Sequence, residues 1–95
     1  MKVSFHRLAR GELIAAANYL ERKAGLGAEF LDSFEAWAQN IVRFPESAPL
    51  IGRNIRKGVL LRFNYIITYE VGFETIRVLY VRHAKRQTPD WEARR

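Results

Sequence analysis

A chain of 95 residues, 48% hydrophobic and 13% aromatic, makes one domain with a single core and is too apolar for disorder even at a formal net charge of +6. The lack of cysteine excludes a disulfide framework and a thiolate metal site, and with only His6 and His83 as imidazole donors a structural zinc is excluded too. The N-terminus has no apolar signal core and no run approaches the ~20 apolar residues that span a bilayer, so a cytoplasmic protein is expected.

Residues 2–5 read as a short strand with Val3 and Phe5 on one face. A helix is predicted over residues 7–23, where Ala9, Leu13, Ala16, Ala17 and Leu20 recur at helical spacing, and Gly25 is placed to take the left-handed conformation just past its end. A second helix is predicted over 28–43 on the stripe Phe30, Phe34, Trp37, Ala38 and Ile41, ended by Pro45. Large aromatics at that spacing face a sheet, and a loop this short joins the helices as an antiparallel hairpin.

Residues 46–52, with Pro49 and Gly52, read as a loop. Beyond it, 54–57 and 59–63 can pair as two strands around Gly58. The odd positions Leu61, Phe63, Tyr65, Ile67, Tyr69 and Val71 then alternate with Arg62, Asn64, Thr68 and Glu70, a strand pattern with one buried face and a kink at Asn64 or Tyr65. A turn at Gly72-Phe73-Glu74 leads into 75–83, apolar on both faces as a central strand is. The order strand, helix, helix and then three or four strands predicts an α+β domain over 1–95, with the N-terminal strand and helical hairpin on one face of a small, mostly antiparallel sheet.

Charge is distributed unevenly along this order. Residues 1–49 carry six bases and six acids, whereas 50–95 carry ten bases and four acids, and twelve of the sixteen bases in the chain are arginine. A guanidinium fork suits bidentate contact with phosphate or carboxylate, so the late strands and the tail are expected to present a basic rim to an anionic partner.

The first strand running into a helical hairpin, Arg56-Lys57, the run Leu60-Leu61-Arg62-Phe63-Asn64-Tyr65-Ile66-Ile67-Thr68-Tyr69, the run Ile76-Arg77-Val78-Leu79-Tyr80-Val81-Arg82-His83-Ala84-Lys85-Arg86, and Pro89-Asp90-Trp91 together resemble the ParE/RelE superfamily of bacterial toxins. The most specific parts are the Arg-Phe-x-Tyr-x-Ile-x-Tyr strand and the His-x-x-Arg segment followed by Pro-x-Trp, which is at home in ParE-like members. The resemblance implies a toxin of a type II toxin-antitoxin system, of the plasmid-stabilisation kind, encoded beside an antitoxin that neutralises it; a heterotetramer is one assembly open to the pair. ParE-like members poison DNA gyrase, and RelE-like members cut messenger RNA on the ribosome.

On the ParE-like reading, Arg56, Arg62, Arg82, Lys85, Arg86 and Trp91 are the candidate target- and antitoxin-binding residues. On the RelE-like alternative, His83 is the candidate acid or base, with Arg62 and Arg82 at the phosphate; each such proton transfer contributes ~10² to 10⁴-fold. The RelE-like nucleases often carry a tyrosine in the tail where this chain has Trp91, whose indole only donates. His83 reads equally as a backbone-bonding pin and Trp91 as a packing anchor for the tail. Neither a metal nor a cofactor is expected, and no membrane contact.

Overall fold

Residues 1–86 and 90–95 are described by the computed structural model, in the order β1 (Lys2–Phe5), α1 (Arg7–Ala24), α2 (Gly27–Arg43), β2 (Leu50–Gly52), β3 (Ile55–Leu60), β4 (Tyr65–Val71), β5 (Thr75–His83) and a 3-10 turn over Trp91–Arg94. Pro89 of the Pro-x-Trp segment lies outside the described residues. α1 begins where the extended His6 accepts the Leu8 amide on Nδ1 at 3.1 Å, and it ends at Gly25, whose φ of 68° turns its amide back to the Glu21 carbonyl. The hairpin and both helix positions match the spacing of the apolar stripes.

The five strands lie in the order β1-β5-β4-β3-β2, with β1 parallel to β5 and all other pairs antiparallel. Both helices cover one face. Ala9, Ala16 and Ala17 of α1, Phe30 and Phe34 of α2, Leu60, Ile67, Val78 and Val81 form the main core. The alanines bring α1 close to β5, and α2 supplies the bulk: Phe30 meets Tyr65 edge-on at 5.0 Å and Trp37 meets Tyr69 at 5.5 Å. Burying each such side chain fully is worth ~1.5 to 3 kcal/mol. Ile41, Ala48, Tyr69 and Ile76 continue this layer toward the other end of the sheet.

The structure departs from the sequence reading in four places. β3 is one continuous strand with Gly58 at its centre, not two strands folded around it, because the Trp37 indole lies where a side chain at 58 would be. The alternation from Leu61 starts four residues too early: 61–64 is the turn between β3 and β4, Asn64 has φ 57°, and Leu61 is 88% exposed. Leu50–Gly52 leaves the expected loop to pair with β3 as a short edge strand.

The fourth departure is in β5. Its register against β4 shifts so that Thr68 faces Tyr80 and Tyr69 faces Val78, which makes Leu79 an extra residue in β5. That bulge resets the alternation, so Val78 and Val81, three apart, both face the helices.

Candidate interaction surface

β1 pairs with β5 only as far as Phe5 opposite Val78, so beyond that point β5 continues without a strand on its outer side. α1 runs alongside this stretch, and between them lies a cleft of about 760 Å³. Its floor is Ala15, Ala16 and Leu20 of α1 with Phe63 and Tyr65, and its basic rim is Arg22, Arg82 and Arg86. Tyr19, Tyr80 and His83 complete the wall. Small residues on α1 leave the volume; aromatics and arginines fill its borders.

Of the candidate site residues, Arg82, His83 and Arg86 come together at this cleft. Arg82 Nη1 donates to the Arg86 carbonyl at 3.1 Å, which ties the strand end to the turn that follows, and its Nε is buried with no hydrogen-bond partner among the described residues. His83 Nδ1 accepts the Lys85 amide at 3.1 Å, and its ring stands edge-on to Tyr65 at 5.3 Å. Burial raises the pKa of the Tyr65 phenol, against a smaller opposing effect of Arg86, so the phenol stays neutral at the cleft floor. Lys85 and Arg86 are exposed in the turn.

The remaining candidates lie elsewhere. Arg56 turns its guanidinium onto the Ala48 carbonyl at 2.6 Å and the Glu46 carbonyl at 3.0 Å, so its charge fastens the loop after α2. Arg62 pairs with Glu29 at 2.6 Å, both side chains more than half exposed, and borders a separate recess of about 280 Å³ with Ser33, Trp37 and Val59. Trp91 lies against the backbone of Gly52 in β2.

The C-terminal arginines, expected on the rim, turn inward. Arg94 makes a bidentate pair with Glu12 of α1, Nη1 to Oε1 and Nη2 to Oε2 at 2.8 Å each, donates to the Leu79 carbonyl at 2.9 Å and stacks 3.6 Å from the Tyr80 ring. Arg95 donates to Glu70 at 2.8 Å and to the Arg53 carbonyl at 2.7 Å. The rim thus draws its charge from Arg22, Arg82 and Arg86, and not from the last residues.

Glu12, Tyr19, Arg22, Tyr80 and Arg94 were not singled out by the sequence reading. The adjacent small residues Ala15 and Ala16, one turn before Tyr19, are the signal that marks this side of α1 as a cleft wall. Glu12 and Arg94 carry no local signal, since they are 82 positions apart.

Three comparisons with known proteins bear on this surface. The family model described as ParE toxin of type II toxin-antitoxin system, parDE, matches residues 3–88. No curated protein matches the sequence. Among solved structures, a chain of the "Chromosomal ParDE TA system from P. aeruginosa" is similar with a TM-score of 0.64 and 15% identity, over 90% of this chain and 97% of that one; at that identity the likeness is one of fold.

Proposed function

The chain belongs to the ParE toxin family of type II toxin-antitoxin systems, and we propose that it arrests growth by binding a macromolecular target, DNA gyrase being the one its ParE-like character implies, until a cognate antitoxin covers it. The observation that carries this reading is the make-up of the cleft: arginines around an apolar floor, which is the composition of a surface that grips an acidic protein. The residues a nuclease would need are divided. Arg62 is paired with Glu29 in a different recess, and His83 has one ring nitrogen engaged by the Lys85 amide. That division supports binding over bond cleavage.

Neither helix is long and apolar enough to cross a membrane, and the proposed targets place the action in the cytoplasm. The test is induction of the chain in growing cells with DNA and protein synthesis followed together. DNA synthesis is expected to fail first, with filamentation while translation continues. A halt in translation within minutes, with replication persisting, replaces the gyrase reading by ribosome-dependent RNA cleavage.

A further inference from the structure

At the other edge of the sheet, β2 covers β3 only as far as Lys57, whose amide donates to the Pro49 carbonyl at 3.0 Å. Val59 is in phase with Lys57, so its amide and carbonyl also turn outward, away from β4, and neither meets a partner among the described residues. Beside this uncovered stretch lies the recess of about 280 Å³ that Ser33, Ala36 and Trp37 of α2 line with β3. Unpaired edge backbone next to an apolar hollow is where a further strand adds.

The flank of α2 above this edge says which strand. Glu29, Ser33, Ala36, Asn40 and Arg43 follow one another at steps of four, three, four and three, which is one face of the helix. Ser33 and Ala36 line the recess and Glu29 reaches Arg62 in the turn after β3, so this face is turned to the β3 edge. Its acid is at one end and its base at the other, seven residues on either side of Ala36. Turned end for end about Ala36, the face is therefore its own electrostatic complement, Glu29 meeting Arg43 at both ends. Arg43 is exposed and makes no ion pair among the described residues, and Glu29 has one oxygen on Arg62 and the other free. A chain of net charge +6 repels its copies over most of its surface, and a face balanced in this way removes that obstacle locally.

We infer that the β3 edge and the Glu29-to-Arg43 face of α2 form a two-fold interface between two copies of this chain, with Val59 pairing antiparallel to its own counterpart. α2 runs opposite to β3, with Glu29 beside the turn that ends β3 and Trp37 over Gly58, so one axis sets both the strands and the helices antiparallel. The two sheets join into one. β4 separates β3 from β5, which leaves the basic cleft of each copy open at opposite ends of the pair. A pair so built offers two clefts to a target that has two matching sites. The inference does not depend on what that target is.

Sedimentation equilibrium of the purified full chain over a range of concentrations tests this, and wild type is expected to dimerise reversibly. Arg43→Glu and Glu29→Lys each set like charges together at both ends of the interface, so each is expected to raise the dimer dissociation constant about tenfold or more. An equimolar mixture of the two variants puts opposite charges back at both ends and is expected to form a heterodimer with an affinity near that of wild type. A merely structural effect of either substitution would not be rescued in this way. Val59→Pro removes an amide that no bond of the folded chain uses, as edge strands tolerate, so its circular dichroism is expected to match wild type while the dimer is lost. A wild-type chain that stays monomeric up to about 1 mM overturns the inference. So does a mixture that associates no better than its components, or a Val59→Pro dimer as tight as that of wild type. If Val59→Pro does not fold, the mixture decides alone. These measurements read mass and not growth, so the toxin reading stands or falls separately on the induction assay above.

Discussion

His6 caps α1 only while its Nδ1 is unprotonated, because that atom accepts the Leu8 amide. Its partial burial, and after that the guanidiniums of Arg94, Arg77 and Arg7, hold its pKa below the ordinary 6.5, with Glu12 opposing. The folded chain therefore takes up this proton less readily than the unfolded chain does. The cap's contribution to stability is complete above the unfolded value of 6.5 and is lost as pH falls through the lower folded value. His6→Ser retains a capping oxygen without the titration, so urea unfolding of wild type and variant between pH 7 and pH 5 is expected to diverge, wild type losing more. Parallel curves would refute the role of His6. Two glycines show how the same substitution has different outcomes by location. A Cβ at Gly58 meets the Trp37 ring at 2.6 to 2.8 Å, and Trp37 is held between α2 and the sheet, so Gly58→Ala is expected to destabilise by about 1 to 3 kcal/mol in urea, as overpacking does. A Cβ at Gly52 meets Trp91, which lies near the chain end and can swing away. Gly52→Ala is expected to cost under about 1 kcal/mol while shifting the Trp91 fluorescence toward that of an exposed indole.

The segment between α2 and β2 is held by two side chains from the sheet. The buried Tyr69 of β4 donates its hydroxyl to the Pro45 carbonyl at 3.1 Å, and Arg56 of β3, directly opposite it in the register, donates to the Glu46 and Ala48 carbonyls. Burial raises the Tyr69 pKa, which keeps the phenol a neutral donor. Tyr69→Phe is expected to cost about 1 kcal/mol and Arg56→Ala about 1.5 to 3 kcal/mol, since the second removes a charged donor from two carbonyls. Antitoxin affinity of folded Arg56→Ala is expected to match wild type; a tenfold loss would return Arg56 to the docking surface. Arg56 illustrates what was legible in the sequence and what was not. Stripes such as Phe30, Phe34 and Trp37 announce the helices, and the double-sided apolar run in β5 announces a strand between neighbours, because periodicity is a local property of the chain. A basic residue reads the same whether it faces solvent or a loop carbonyl. The bulge at Leu79 is likewise visible only in the pairing of β5 with β4, and the Arg94–Glu12 clamp only once the tail has crossed the sheet to α1.

Taken over the whole molecule, the net charge of +6 is concentrated in fewer places than the sequence suggests. Arg62, Arg94 and Arg95 are each within 2.8 Å of a carboxylate of the same chain, and Arg56 is on backbone carbonyls. The exposed cations that line the cleft are Arg22 near the end of α1 and Arg86 after β5, on the borders of an apolar floor, and the exposed Lys23 and Lys85 are their neighbours in the chain. Charges so placed steer an acidic partner over roughly a Debye length, ~8 Å at physiological salt, and act mainly on the association rate. Arg86 is the most informative of them. Its backbone amide and carbonyl hold the turn, to His83 and Arg82, whereas its side chain borders the cleft; reversal to glutamate should leave unfolding within about 0.5 kcal/mol of wild type. Toxicity of Arg86→Glu on induction is nevertheless expected to be lost, and its association with antitoxin to slow by about tenfold or more at low salt, the difference shrinking as salt rises. His83→Ala removes the acceptor for the Lys85 amide and the ring beside Tyr65, contacts that shape the turn but do not carry the rim's charge, so its toxicity is expected to survive. The opposite pair of results, an inert but folded His83→Ala beside a fully toxic Arg86→Glu, would mean that a proton transfer at this cleft and not its charge arrests growth.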